Sequence, residues 1–297
     1  MKSGFTYKGR HSSEFDIIAK TKSRPVLPEM KSFTFDTPTM DGVYDFSQSN
    51  EYGHAFYNDR FFEVLLQVSA DNLRSLEKKV SQIAVWLRGG GELSFDDMPF
   101  VKWNARVISE LGFVPELRGR KAALTAVFRV EPFSRCFFDT ANGPDLSSVI
   151  GLESNIPVDV PSRFEWQLTG GVNTYKNVAC TMKVLNAGNV YIRPVIRFVG
   201  DIKNVTVGYG TKGLSVNAAE SEIVIDFKRC VVYNSENLSL MKNVSGNFFD
   251  IDETVGTVNI SAYVNGNATV TVEYEPRFVY NFDFDDVDWS ESNAQTV

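Results

Sequence analysis

The sequence predicts a mainly β protein, with a β-rich N-terminal domain that contains one α-helix and a C-terminal β-sandwich. Its 297 residues, 43% of them hydrophobic, are enough for two domains that each bury a core. The 23 phenylalanines favour β-rich cores. Beyond residue 164, short apolar runs alternate with Gly and Asn turns, as in a sandwich. We therefore predict a first domain over 1–135, a sandwich over 136–280 and an acidic tail over 281–297.

The N-terminal stretch alternates β-like runs with Pro, Gly and Ser. This pattern predicts strands near 4–7, 14–20 and 32–35, and a further strand within 54–68. No helix is expected before residue 69.

The single predicted helix follows directly. Apolar residues recur at spacings of three and four from Leu73 to Leu87, which places them on one face. Ser69 or Asp71 is expected to cap its N-terminus, and Gly89 to end it in a left-handed conformation. Two stretches of strand, ELSF with FVKWNARVI and then KAALTAVFRVEPFSR, are predicted to follow.

The second half is almost pure β signal after a segment rich in Pro, Gly and Ser at 142–163. The predicted strands are separated by Gly and Asn turns. This pattern predicts a β-sandwich, and the jelly roll is one topology of that kind. They are FEWQLTG, ACTMKVLN, VYIRPVIRFVG, NVTVGYG, EIVIDF, VVYN, TVNISAYV and ATVTVEYEPRFVY.

Charge and cysteine content exclude several classes of protein. A net charge of −7 disfavours nucleic-acid binding, which depends on clustered Lys and Arg. No apolar run is long enough for a membrane span, and the polar N-terminus does not resemble a signal peptide. Cys136, Cys180 and Cys230 are far apart and odd in number, so we expect buried free thiols.

The stretch WLRGGGELSFDDMPF at residues 86–100 is the strongest chemical candidate. A phosphate loop needs a strand before its glycines and a helix after them, whereas here the helix comes first. Asp96 and Asp97 are adjacent, so on a strand they would point to opposite faces, and only a turn could let them share a metal ion. We therefore predict a helix-to-strand turn.

Other residues also give no catalytic, metal or cofactor site. Aspartates 283, 285, 286 and 288 resemble a calcium loop but lack its glycine and distal glutamate. His11 and His54 belong to no nucleophile or zinc motif, so we expect structural roles. A glycosidase carboxylate pair stays open, because the fold and not a short motif sets such pairs. The chain is not expected to be an enzyme.

Aromatic residues of the second half are candidates for stacking on sugar rings. The glycan-contact candidates are Trp166, Tyr175 and Tyr209, with Tyr191 beside them. Core packing is the commoner role of such residues. A carbohydrate-binding adhesion module that recognises host cell-wall glycan is therefore an alternative function, and a cell-wall hydrolase a more distant one.

The order of several stretches resembles one protein family, the distal tail proteins (Dit) of phages and prophages with long non-contractile tails. The resemblance covers about residues 5–280 and depends on order and spacing rather than on one diagnostic motif. The stretches are FTYKGRHSSEFDI, MDGVYDF, AVWLRGGGELSFDDMPF with VKWNARV, YIRPVIRFVGDIKNVTV, EIVIDF, VSGNFFDIDETVGTVNI and ATVTVEYEPRFVY.

The resemblance implies a structural protein of the virion, located at the phage tail tip and made in the host bacterial cytoplasm. The N-terminal half would be a belt domain that forms a homo-hexameric ring between the tail tube protein and the tail-associated hub protein of the baseplate. DNA would pass through the ring without sequence-specific binding. The second half would be a galectin-like or carbohydrate-binding-module-like sandwich that holds receptor-binding proteins or contacts host cell-wall polysaccharide. Family members have no catalytic residues to carry over, and we expect no cofactor or metal in this chain.

Overall fold

The computed structural model describes residues 4–39, 41–49, 54–136, 163–186, 188–252 and 255–281. Of these, residues 4–136 and 278–281 belong to one compact unit, and residues 163–277 to a second. Most of the predicted linker and nearly all of the acidic tail lie outside the described residues. The predicted boundary between residues 135 and 136 therefore stays a prediction, although residue 163 already begins a strand.

Unit 1 combines a large antiparallel sheet with one helix, α1 (Leu73–Leu87). Its strands are β1 (Phe5–Tyr7), β2 (Arg10–His11), β3 (Ile17–Ser23), β4 (Thr34–Asp36), β5 (Val43–Asp45), β6 (Arg60–Ser69), β7 (Gly90–Phe95), β8 (Met98–Val107), β9 (Pro115–Glu116), β10 (Lys121–Val130) and β11 (Ser134–Cys136). The main sheet has the order β2-β1-β7-β8-β10-β6-β3, with β9 beside β10 and β11 beside β8. Strands β4 and β5 form a separate two-stranded sheet.

The central strands of unit 1 show the alternation that a half-buried sheet requires. Along β6, every second residue is buried, starting from Arg60, and β10 alternates in the same way. The two strands pair in register from Lys121 opposite Ser69 to Val130 opposite Arg60. One face of this sheet therefore forms a core, and the other face is available to solvent or partners.

The helix has the predicted extent but not the predicted cap. Asn72 is the N-cap, and its side-chain oxygen accepts a hydrogen bond from the backbone N–H of Ser75 at 2.9 Å. The prediction of Ser69 or Asp71 was wrong, because the strand β6 continues through Ser69 and the first free amides lie within reach of Asn72. Leu73 is also exposed, although its spacing predicted the apolar face.

Trp86 attaches the buried face of the helix to the first strand. Its ring stacks on Phe5 and Phe15, with centroids 5.4 Å and 4.4 Å away. Its indole N–H donates to the backbone carbonyl of Tyr7 at 2.9 Å. The position of the helix on the sheet is therefore fixed by both packing and a buried hydrogen bond.

Unit 2 is an antiparallel sheet of seven strands, which bends so that its two arms share one core. Its strands are β12 (Arg163–Thr169), β13 (Lys176–Leu185), β14 (Val195–Tyr209), β15 (Lys212–Asp226), β16 (Val231–Asn234), β17 (Val244–Gly246) and β18 (Val255–Glu273). A last short strand, β19, spans Arg277–Phe278, and Phe278 belongs to unit 1. Among the described residues, the prediction of a mainly β fold with one α-helix is confirmed.

The three longest strands, β14, β15 and β18, run through both arms of this sheet, one arm on the side of β12 and the other on the side of β13. Strand β12 pairs with residues 267–273 of β18, and β13 pairs with residues 255–264 of the same strand. The register shifts along β14 after Gly200 and again after Lys203, where the ladder is irregular. Gly200 and Asn204 have positive φ there, as expected at bulges that bend a strand. The sequence predicted two strands on either side of this point, whereas the structure has one.

Candidate functional site

The glycines of WLRGGGELSFDDMPF form a helix-to-strand turn, as the sequence predicted. The last carbonyls of α1 face this turn, and Lys8 Nζ donates to the carbonyl of Arg88 at 3.0 Å. Tyr7 Oη donates to the carbonyl of Gly89 at 2.6 Å. The negative end of the helix is thus occupied by a cation and a hydroxyl, which leaves no phosphate cradle in the turn.

Asp96 and Asp97 form the tight turn between β7 and β8, and their carboxylates have different partners. Asp96 accepts from the backbone N–H of Gly4 at 2.8 Å and lies 3.1 Å from His11 Nε2. Asp97 accepts from two guanidinium nitrogens of Arg24, at 2.6 and 3.1 Å. Within the described part of the chain, no cluster of His, Cys, Asp and Glu could hold a metal ion.

Arg24 links segments of unit 1 that are distant in sequence. Its Nε donates to Tyr280 Oη at 2.7 Å, and its guanidinium lies 4.7 Å from the ring centre of Phe95. The Arg24 guanidinium also holds the pKa of Asp97 below its ordinary value. The charges of Arg24 and Asp97 are thus paired with each other, which is typical of a structural cluster rather than a catalytic one.

The histidines and the described cysteines also have ordinary surroundings. His11 caps the 3-10 turn Ser12–Phe15 through its ring, and His54 Nδ1 lies 3.2 Å from the carbonyl oxygen of Ala55. Cys180 and Cys230 are free and half-buried rather than buried as predicted. Burial raises the pKa of the Cys180 thiol. The calcium-like aspartates of the tail lie outside the described residues.

The hairpin β4–β5 carries an exposed aromatic face. Phe35 pairs with Tyr44, and the backbone N–H of Phe46 donates to the carbonyl of Phe33 at 2.8 Å. Alternation therefore places these four side chains on one face of the hairpin, which we call the aromatic face. They are 70% (Phe33), 59% (Phe35), 50% (Tyr44) and 44% (Phe46) exposed. Contiguous apolar surface of this kind is typical of a contact site.

The predicted glycan contacts do not form one platform. Tyr175 Oη donates to Asp201, and Lys203 Nζ lies 3.9 Å from the centre of the Tyr175 ring. Tyr209 Oη donates to Asp252 at 2.8 Å, while Trp166 packs against the sandwich core. Trp166 pairs with Val270 and Tyr209 with Val258, so the two are separated by much of the length of β18. A single sugar ring cannot contact both.

An open groove of about 610 Å³ lies instead on the outer side of β13, β18 and β14. Small side chains line it and continue across five neighbouring strands as a row. The row is Ala179, Ser261, Thr206, Ser215 and Ser245, which are paired in that order. Thr206 Oγ1 lies 3.0 Å from Ser215 Oγ.

Sequence reasoning missed both of these surfaces. The signal for the aromatic face was present, since SFTFD and VYDFS alternate aromatic and polar residues. The groove had no such signal, because small polar residues are common on any exposed strand. In addition, the described residues include no helix long and apolar enough to cross a bilayer.

Comparisons with known proteins identify the fold. The Dit protein of phage SPP1, described as a paradigm of the hub adsorption apparatus in phages that infect Gram-positive hosts, aligns with a TM-score of 0.61. The alignment covers 92% of this chain and 98% of that chain, at 12% sequence identity. No family model matches the sequence, and no curated protein does.

Two baseplate structures of phage P2, in the activated conformation with Ca and with Sr, align at TM-scores of 0.36 and 0.35. They are 10% and 9% identical, and 91% of this chain is covered in each. TM-scores of this size do not establish a shared fold.

The fold is thus similar to that of the SPP1 Dit protein, with a helix-bearing β unit followed by a bent β-sandwich. One solved structure with this fold is the SPP1 Dit protein. The resemblance to the Dit family is therefore confirmed at the level of the fold.

Proposed function

We propose that this chain is a structural protein of a phage tail tip. It assembles as a hexameric ring that joins the tail tube protein to the tail-associated hub protein, with a central channel for DNA. The second unit serves as a galectin-like or carbohydrate-binding-module-like sandwich that carries host-adhesion components. The chain is made in the bacterial cytoplasm, acts in the virion and catalyses no reaction.

The observation that carries this proposal is the extent of the fold similarity. It spans 92% of this chain and 98% of the SPP1 Dit protein, so it extends over both units of this chain. A fold alone does not determine function. The proposal therefore also depends on a surface suited to assembly.

The aromatic face provides that support. A ring with a rotational axis uses heterologous contacts, in which each copy presents two different surfaces. An exposed aromatic hairpin outside the main sheet is one such surface, since aromatic residues are enriched at the centres of protein interfaces.

Electron microscopy of the purified full-length chain tests the proposal. We expect negative-stain class averages to show rings with sixfold symmetry, formed by the chain alone or after addition of a tail tube protein. Particles without rings under both conditions would contradict it.

A second candidate function, glycan binding, is favoured by the groove over β13, β18 and β14. Its hydroxyl and amide groups, including Thr181, Asn259 and Ser261, are of the kind that hydrogen-bond sugars. The test is a cell-wall glycan array probed with the full chain and with Ser261→Phe, which fills the groove. Gln167→Phe, on the exposed surface of the other arm, is the control. Equal binding by all three proteins, or none by any, would argue against glycan recognition at this groove.

A further inference from the structure

The aromatic face lacks a cover in the described chain. Strands β4 and β5 pair with each other alone among the described strands, as a two-stranded sheet outside the main one. An isolated hairpin of two strands is only marginally stable in water and is stabilised when another surface packs on it. The four exposed aromatic side chains lie on one side of the hairpin, so a partner surface would pack on that side.

A complementary surface lies at one edge of the main sheet. Strand β3 is the edge strand at one end of the main sheet. Every second residue from Ile18, namely Ile18, Lys20 and Lys22, lies on its outer side. Ile18 is 68% exposed and lies opposite Gln67, while Lys20 lies opposite Leu65. A shallow cavity of about 180 Å³ borders Ile18 and the alanines 122 and 123 of β10. We call the outer side of β3 and the adjacent part of β6 the lysine face.

The charges of the two surfaces are opposite. Asp36 ends β4, and Asp41 lies in the turn before β5. Neither carboxylate forms an ion pair within the described part of the chain. Lys20 has no ion-pair partner there, and Lys22 donates only to Thr125 Oγ1 at 3.2 Å. Glu63 on β6 and Glu116 on β9 are acidic groups near this surface, whereas Lys20, Lys22 and Lys121 are basic, so lysines outnumber carboxylates among these groups.

We propose that the aromatic face of one copy packs on the lysine face of the next copy in the ring. The aromatic rings cover Ile18 and the apolar stems of the lysines, while the ammonium groups reach Asp36 and Asp41 at the rim of the hairpin. The two surfaces differ, so the contact is heterologous and propagates around a rotational axis until the ring closes. This inference rests on the proposed function.

A charge exchange tests the contact. Asp36→Lys with Asp41→Lys makes the hairpin basic, and Lys20→Glu with Lys22→Glu makes the edge acidic. Each double variant should raise the protein concentration needed for half-assembly by about tenfold or more, because like charges then meet across the interface. The fourfold variant restores opposite charges and should assemble close to the wild-type concentration. Lys183→Glu with Lys242→Glu, at exposed positions of unit 2, is the matched control.

The outcomes separate this inference from the proposed function. Assembly is measured by analytical ultracentrifugation, and thermal unfolding of each variant checks that it is folded. A wild-type ring that both double variants form unchanged would overturn the lysine-face contact and leave the ring in place, with the hairpin facing another protein. Loss of assembly in both double variants, with no recovery in the fourfold variant, would also overturn the lysine-face contact. A wild-type chain that is monomeric at every concentration, with and without a tail tube protein, would overturn the ring and the contact together.

Discussion

Phe33 and Phe46 face each other across the open end of the β4–β5 hairpin, with ring centroids 6.2 Å apart. Tyr44 stacks on Phe46 at the same centroid distance, so Phe46 contacts two other rings of the aromatic face. All three are exposed. A cluster of this kind organises the hairpin surface before any partner arrives, which lowers the entropy lost when the contact forms.

Phe35→Ser with Tyr44→Ser should weaken assembly while leaving the folded chain almost unchanged. Both side chains are exposed, so the free energy of unfolding of the monomer should fall by less than about 1 kcal/mol. Sedimentation of the oligomer and urea unfolding of the monomer are the two measurements. Tyr263→Ser, an exposed aromatic position in unit 2, is the control for assembly. Unchanged assembly of the double variant would show that the aromatic face is not an interface.

Trp86→Ala should be among the most destabilising single changes in unit 1. It removes two stacked ring contacts and leaves a buried cavity, at a cost of about 3–5 kcal/mol in free energy of unfolding. Trp86→Phe keeps most of the packing but leaves the carbonyl of Tyr7 without its donor, at a cost of about 1–3 kcal/mol. Urea unfolding monitored by circular dichroism distinguishes the two. Equal costs for both variants would contradict this division between packing and hydrogen bonding.

Gly89→Ala and Gly246→Ala should have unequal effects although both glycines have φ of 92°. An added Cβ at Gly89 meets nothing within 4 Å, so only the backbone conformation is unfavourable, by about 1 kcal/mol. At Gly246 the same atom would lie 2.2 Å from the carbonyl oxygen of Gly213, on the neighbouring strand. The melting temperature should therefore fall further for Gly246→Ala. A larger fall for Gly89→Ala would contradict the local geometry.

The Arg24–Asp97 pair should make a small, pH-dependent contribution to stability. Because Arg24 depresses the pKa of Asp97, the stabilisation is present above the unfolded pKa of about 4 and is lost as the pH falls through the folded pKa. Asp97→Asn should therefore lower the urea midpoint at about pH 6 and have less effect near pH 3. Asp97 is largely exposed, so the difference will be modest. Glu110→Gln, at an exposed position that forms no ion pair among the described residues, is the control. An effect of Asp97→Asn that grows as the pH falls would contradict this assignment.

The sequence predicted elements whose signal is local. The helix from Leu73 to Leu87 follows from its apolar spacing, and its end at Gly89 follows from the need for positive φ. The predicted N-cap was one to three residues before Asn72. Several polar residues are adjacent in this part of the sequence, and which of them caps the helix depends on where β6 ends.

Features that depend on tertiary structure were harder to predict. Gly200 and Asn204 have the composition of a turn, yet in β14 they form bulges, because pairing with β15 and β18 continues on both sides. The glycan candidates were chosen as aromatic residues, and the sequence contained no information on the contacts that Tyr175 makes with Asp201 and Lys203. The lysine face was not predicted either, because it depends on which strands are neighbours in the sheet, and no local sequence pattern determines that order.

The mass of the full-length chain in solution, measured over a range of concentrations, tests the central claim most directly. A hexameric hub predicts a species of six times the 33.3 kDa chain, with no stable larger polymer because the ring closes. A chain that stays at 33.3 kDa at the highest concentration, with and without a tail tube protein, would contradict the account.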